Sequence, residues 1–266
     1  MPGSTSLDLL EGQVAIVTGG GKGIGRAIAL ELSSRKARLL VTGRDERALA
    51  ETVGEIANAG GTARHLVADA REEEGAVRTV ARARELWGRL DVVVANAGIT
   101  GTTRMGDEGA RGRARDIVET NLLGTYYVFD AAATAMQGPG RLIALSSVLG
   151  KFGVAGQAAY CASKTGLHGL VRAVAAELGP RGITCNAICP GWVDTEMARA
   201  RLHEMAREQG EAYDATRRTA QAATPVGRFV EPEEVAKLAA YLCSAAAAVV
   251  TGQAISICAG TTVFAG

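Results

Sequence analysis

The chain has 266 residues, 47% hydrophobic and 21% charged, enough for one large domain, or two at most, with a sizeable buried core. Its 29 Lys and Arg are matched by 28 Asp and Glu, a balance that argues against a nucleic-acid-binding or membrane-surface protein. Five cysteines (Cys161, Cys185, Cys189, Cys243, Cys258) without a C-x-x-C pair, and three scattered histidines, point to reduced core thiols, no metal site and a cytoplasmic location.

Residues 1–12 lack a basic stretch followed by an apolar run, so no signal peptide is expected, and no apolar run reaches the roughly 18 residues of a membrane span. Seven strand-length apolar runs recur, at 14–17, 38–42, 63–67, 90–95, 142–145, 183–188 and 254–257. Most are continuously apolar, as for strands covered on both faces. The first leads into Thr18-Gly19-Gly20-Gly21-Lys22-Gly23-Ile24-Gly25, and Ile24, Ile28 and Leu32 then step by four as a helix does. Glycines let the backbone approach a pyrophosphate closely, and the helix N-terminus offers free N–H groups and a positive dipole end. The turn lacks the Gly-Lys-Ser/Thr ending of a P-loop, which counts against an NTPase.

The second run ends Val41-Thr42-Gly43-Arg44. Gly43 stands where an acid usually meets a free ribose 2′-hydroxyl, and it cannot accept that bond. Arg44 can hold a phosphate bidentately and Lys22 adds a second charge, which favours NADP(H) over NAD(H). Asp45 reads as the N-cap of a helix whose apolar face carries Leu49, Val53, Ile56 and Ala57. Val77, Val80, Ala83 and Leu86 mark the core face of the next helix.

Further on comes Tyr160-Cys161-Ala162-Ser163-Lys164. On a helix, positions four apart share one face, so the phenol and the ammonium meet. Bringing a phenol from a pKa of about 10 to roughly 7 takes about 4 kcal/mol of preferential stabilisation of the phenolate. A nearby cation pushes in that direction and gives a proton donor usable at neutral pH. Residues 194–226 are rich in Ala, Arg, Glu and Met, show no strand pattern, and read as one or two mobile helices forming a lid over a site. Glu231-Pro232-Glu233-Glu234 starts another helix, with proline and acids in its first turn. The alternation implies a single α/β domain over 1–266: a Rossmann-like, doubly wound parallel sheet of about seven strands, helices on both faces, and a small helical lid.

These motifs, in this order, resemble the short-chain dehydrogenase/reductase family over about residues 11–260. The chain also has Asn96-Ala97-Gly98 after the fourth strand, Asn121 in a helix, Ser146-Ser147 after the fifth strand, and Pro190-Gly191, Val193 and Thr195 after the sixth. The family's serine lies thirteen residues before its tyrosine, which selects Ser147, and Asp69 fits its acidic residue near the adenine. The resemblance implies that Gly19, Gly21, Lys22, Gly23, Ile24, Gly25, Arg44, Asp69, Ala70, Asn96, Ala97, Gly98, Tyr160, Lys164, Pro190, Gly191, Val193 and Thr195 bind the dinucleotide. It implies Tyr160 as general acid in reduction and general base in oxidation, with Lys164 lowering its pKa and binding the nicotinamide ribose. Ser147 would hold the substrate oxygen, and the backbone carbonyl of Asn121 a water linking Lys164 to solvent.

Within the family, Asn186-Ala187-Ile188-Cys189-Pro190-Gly191, Thr224-Pro225-Val226-Gly227-Arg228 and Cys258-Ala259-Gly260 are most similar to bacterial ketoreductases of the 3-oxoacyl and polyketide type. The family's closing Val-Asp-Gly-Gly is replaced by Ile257-Cys258-Ala259-Gly260. The resemblance implies NADP(H)-dependent reduction of a small-molecule ketone to a secondary alcohol. It also implies a homotetramer built on residues 107–136, 159–178 and the tail 261–266 with Val263 and Phe264. Ile99, Val148, Val154, Trp192 and the Met197 region are the expected pocket walls and suit an apolar ketone. One alternative is an NAD(H)-dependent secondary alcohol dehydrogenase working oxidatively with the same four residues. Another is a catalytically silent dinucleotide sensor, although such proteins typically lose the tyrosine or the lysine. An enoyl reductase is disfavoured, because its tyrosine–lysine spacing is longer.

Overall fold

The structure, a computed structural model, describes residues 10–264, the last by its backbone alone. The expectations on residues 1–9, on the Phe264 side chain and on residues 265–266 lie outside the described residues. All seven predicted strands form: β1 (Val14–Thr18), β2 (Arg38–Gly43), β3 (Thr62–Val67), β4 (Val92–Ala95), β5 (Gly140–Leu145), β6 (Ile183–Pro190) and β7 (Ala254–Ile257). They make one sheet in the order β3-β2-β1-β4-β5-β6-β7, and every pair is parallel. The helices are α1 (Gly23–Ser34), α2 (Glu46–Asn58), α3 (Glu73–Trp87), α4 (Ala110–Val118), α5 (Gly124–Ala135), α6 (Ala158–Leu178), α7 (Glu196–Gln209), α8 (Tyr213–Ala222) and α9 (Pro232–Cys243).

The continuous apolar runs follow from burial on both sides. Along β1, Ala15 and Val17 enter a core shared with α1, α2 and α9, while Val14 and Ile16 enter the opposite core, shared with α3, α5 and α6. The fourth strand starts later than its apolar run, at Val92; just before it, the Asp91 carboxylate accepts from the Val14 N–H at 2.8 Å. In α3 the core face is Ala76, Thr79, Val80 and Ala83, whereas Val77 is 55% exposed. Val77 was expected inward, but it lies about 100° round the helix from Ala76. Four cysteines are buried as expected; Cys161 is only half-buried.

The caps read from the sequence form. The Asp45 carboxylate accepts from the Ala48 N–H at 3.1 Å, and Glu231 and Glu234 make a capping box at the start of α9. Arg228 beside Glu234 holds that carboxyl down at about 2. Residues 110–135 run as one continuous helix, but Glu119–Leu123 form a single π-turn within it. Such a turn widens the backbone and often marks a functional site. The segment 194–226 carries α7 and α8. Asp194 anchors it through Arg199 at 2.9 Å and Arg217 at 2.7 Å. Arg217 lies over the ring of Phe229, which stacks on Trp192. No helix among the described residues is long and apolar enough to cross a membrane.

The strand order reverses between β1 and β4, so their C-terminal ends open a crevice, the usual ligand site of such sheets.

Candidate active site

The crevice is built first by a stitch between β1 and β4. The Thr18 hydroxyl oxygen accepts from the Asn96 N–H at 3.1 Å and the Ala97 N–H at 3.0 Å. The Asn96 amide donates back to the Thr18 carbonyl at 3.0 Å and the Gly19 carbonyl at 3.1 Å. Asn96 therefore braces the glycine turn from behind. Gly19 sits at φ +65°, a conformation glycine adopts without strain. A Cβ on Gly25 would stand 2.2 Å from the Gly19 carbonyl oxygen, so the first turn of α1 packs directly on the loop.

Of the other predicted glycines, Gly23 faces the cavity, whereas Gly21 packs against Ala48 and Leu49 of α2. A cavity of about 350 Å³ runs from Lys22 and Gly23 at the N-terminus of α1, past Asn96, Ala97 and Gly98, to Tyr160 and Lys164. Ile24, Gly25, Pro190 and Thr195 also line it. A small recess beside it takes in Gly43, Asp69 and Ala70. Asp69 is held by Arg71, which keeps its carboxyl below the usual range. Arg44 is exposed at the end of β2 and makes no ion pair among the described residues. Lys22 pairs with Asp45 at 2.8 Å, and the carboxylate raises the ammonium pKa.

The second half of the site comes from β5, α6 and the π-turn. Asn121 is fully buried, not exposed to the cavity; its amide oxygen accepts from the Ile99 N–H at 2.8 Å, and its amide nitrogen donates to the Ile99 carbonyl at 3.0 Å and the Ser163 hydroxyl at 3.2 Å. Its backbone carbonyl accepts from the Thr125 hydroxyl at 2.9 Å. Ser147 caps the short 3₁₀ turn Val148–Gly150 and lines a second cavity together with Tyr160. Ser146 turns the other way, into the core, where its hydroxyl donates to the Lys164 carbonyl at 3.0 Å. Ser146 also contributes to the walls of both cavities, whereas Ser147 lines only the second.

Tyr160 and Lys164 share one face of α6, with the Lys164 Nζ 5.7 Å from the tyrosine ring centroid. The direction expected for the phenol is reversed. Burial pushes Tyr160 up, and the neighbouring Ser147 hydroxyl only partly offsets it. The Lys164 ammonium donates instead to the Leu145 carbonyl at 2.6 Å, and burial lowers it to about 8.

The second cavity, about 420 Å³, opens beside Ser147 and Tyr160. Val148, Val154, Trp192 and Met197 line it as expected; Gly191 and Val193, expected at the dinucleotide, line this cavity and not the first. Ile99 does not; it faces the neighbouring cavity. Sequence reasoning missed Phe152, Gln157, Arg201 and Met205. Three wall residues of α7, Met197, Arg201 and Met205, are spaced by four, a stripe visible in the sequence. Arg201 is balanced by Glu204 at 3.1 Å and Glu208 at 3.5 Å, and Glu208 also pairs with Arg104 at 3.3 Å.

A family model described as Enoyl-(Acyl carrier protein) reductase matches residues 19–262. The chain belongs to the short-chain dehydrogenase/reductase family. A 3-oxoacyl-(acyl-carrier-protein) reductase of Pseudomonas aeruginosa is 38% identical, covering 94% of this chain and 98% of that protein. A Streptomyces coelicolor protein carrying a provisional ketoacyl reductase name is 40% identical over 94% of this chain and 97% of its own length. Among solved structures, a single-substitution variant of actinorhodin polyketide ketoreductase with NADPH aligns at a TM-score of 0.90 and 37% identity, over 97% of this chain and 99% of that one. The Rossmann-like sheet and the order of motifs thus agree with this short-chain dehydrogenase/reductase chain being an oxidoreductase of the ketoreductase kind.

Proposed function

We propose that the protein is an NADP(H)-dependent ketoreductase that converts an apolar ketone, of 3-oxoacyl or polyketide character, to a secondary alcohol. The observation that carries it is the meeting of Ser147, Tyr160 and Lys164 where an apolar cavity joins a groove running from the glycine turn. The glycine turn, the free N-terminus of α1 and the recess at Asp69 and Ala70 fit a dinucleotide, and Arg44 with Lys22 fits a 2′-phosphate. NADPH, when bound, supplies the hydride.

The chain's own residues supply the proton and the charge stabilisation. Tyr160 is held as a neutral phenol at neutral pH, which is the form that donates to a carbonyl oxygen. Ser147 donates to the same oxygen as it gains charge. Lys164 is the cation beside the phenolate that Tyr160 leaves, and so assists its departure. Asn121 holds the Ile99 strand-end and Ser163 in place, and its carbonyl is the proposed seat of a water leading from Lys164. Gly191 and Val193 line the proposed substrate cavity, and Pro190 and Thr195 stand between the two, lining both. We propose a single domain over 1–266 with the segment 194–226 as its lid, in support of which α7 lines the substrate cavity. The three-residue gap between Tyr160 and Lys164, and the names of the relatives, favour ketone over enoyl reduction.

The test is a steady-state screen of β-ketoesters, cyclic ketones, aryl ketones and diketones with both cofactors, followed at the nicotinamide absorbance. The expected result is turnover of at least one class with a KM for NADPH at least about tenfold below that for NADH. In Arg44→Ala that ratio narrows by about tenfold, the worth of one charge-assisted phosphate contact. Binding of NADPH without turnover of any class favours a sensor; equal use of NADH favours the oxidative dehydrogenase. We further propose a cytoplasmic homotetramer. Leu123 and Tyr126 on the outer side of the helix 110–135 are 38% and 49% exposed, and Val263 is 73% exposed, as for faces that partners cover. Light scattering is expected to give four times the 27.4 kDa chain mass; a monomer overturns the assembly.

A further inference from the structure

His168 lies one helical turn beyond Lys164 on α6, is 7% exposed, and has no part in the proton transfer above. Its Nε2 is 2.9 Å from the Ser146 hydroxyl and 3.3 Å from the Cys189 thiol of β6. The hydrogen at this contact can be assigned. Ser146 has one proton, and it is committed to the Lys164 carbonyl at 3.0 Å, which can only accept. Ser146 must therefore accept from the imidazole, so Nε2 carries a hydrogen. The Cys189 sulfur lies against the same N–H as a weaker acceptor.

The groups facing the imidazole leave it neutral. Burial lowers its pKa, and Lys151 after the 3₁₀ turn and Arg172 on α6 push the same way. Gly150 packs beside it: a Cβ there would stand 2.9 Å from the His168 Cε1 and 2.9 Å from the Lys164 carbonyl. One ring thus touches the end of β5, the 3₁₀ turn that follows it, β6, and the stretch of α6 that carries Lys164. Ser146 is bonded to Ser147 in the chain, and the Lys164 carbonyl is one turn from Tyr160. A histidine that merely filled the core would not need to complete a donor chain ending on the backbone of Lys164.

We infer that His168 is a positioning residue: by donating from Nε2 to Ser146, it fixes the end of β5 against α6 and so holds Ser147 and Tyr160 on one substrate oxygen. This rests on the ketoreductase reading above. The test compares His168→Leu, His168→Gln, Ser146→Ala and the Leu/Ala double variant with a buried control on the same helix, Val171→Ala. The readouts are kcat for ketone reduction, NADPH affinity by fluorescence, and the pH profile of alcohol oxidation.

His168→Leu is expected to lower kcat by about 10- to 100-fold, the scale of a misplaced reacting group. NADPH affinity should stay within about twofold. The basic pKa of the oxidation profile should rise, because Tyr160 loses the Ser147 contact that lowers it. His168→Gln, which keeps a donor, recovers most of the rate, Ser146→Ala matches the leucine variant, and the double variant is no slower than either single one. Val171→Ala leaves the pH profile unmoved. Full kcat in His168→Leu, or the same profile shift in Val171→Ala, overturns the inference. If His168→Leu does not fold, full kcat with an unmoved profile in Ser146→Ala overturns it equally. A wild type idle on every ketone overturns the ketoreductase reading itself; an active wild type with a fully active leucine variant overturns only the role of His168.

Discussion

Tyr160→Phe is expected to lower ketone turnover by about 10³- to 10⁴-fold while NADPH binds as before. The change removes one oxygen and leaves the ring, so the packing of the lysine stem along the aromatic face survives. What disappears is a proton donor that is half-buried beside Ser147, neutral at pH 7 and open to the apolar cavity. The loss corresponds to about 4–5 kcal/mol of barrier. The measurement is kcat under saturating NADPH, with affinity followed separately by fluorescence quenching. A variant that reduces ketones at near wild-type rate removes Tyr160 from the mechanism. One that loses cofactor and rate together makes it a packing residue.

The second large effect is expected at Gly25. A methyl group there would meet the Gly19 carbonyl oxygen at 2.2 Å and the Asn96 amide nitrogen at 2.4 Å. Both are fixed, one by the backbone and the other by two hydrogen bonds to it. Nothing can swing aside, so Gly25→Ala must push α1 away from the loop that its N-terminus caps. Overpacking of this kind costs about 1–3 kcal/mol, or roughly 2–12 °C in Tm for a chain of this size. NADPH affinity should fall by at least about 100-fold, because phosphate binding at a helix end depends on where its N–H groups point. Gly54→Ala is the control. It lies mid-helix in α2 with nothing within 4 Å of a new methyl group, and should be neutral or stabilising by about 0.5–1 kcal/mol. Wild-type affinity in Gly25→Ala would show that the turn is not a phosphate cradle.

What could be read from the sequence, and what could not, divides along physical lines. Strands covered on both faces leave unbroken apolar runs, so all seven were visible, and caps such as Asp45 and Glu231 depend on neighbours a few residues away. Val77 was misread because a four-residue step and a three-residue step fit its helix about equally well. The π-turn at Glu119–Leu123 had no signal, since a hydrogen-bond slip needs no particular side chain. The sign of the Tyr160 shift was wrong because the pattern Y-x-x-x-K brings in the charge of Lys164 but not the depth of burial. Burial belongs to the packed sheet, and the ammonium that the pattern brings close is already bonded to the Leu145 carbonyl. The partnership of His168 with Ser146 spans 22 residues and two elements, beyond any local spacing rule. Of the cavity walls, Met197, Arg201 and Met205 were legible as a stripe, whereas Phe152 and Gln157 sit on irregular backbone.

The stitch at Thr18 has a consequence for how this enzyme comes into being. Its two halves are separated by 78 residues of chain, and the oxygen that orients the turn takes both its partners from the far half. No early fragment released by the ribosome carries the finished turn that we propose as the coenzyme cradle, however well its opening strand and helix form. On the proposed reading, affinity for the dinucleotide arrives with the closure of the sheet's middle and is a property of the assembled domain.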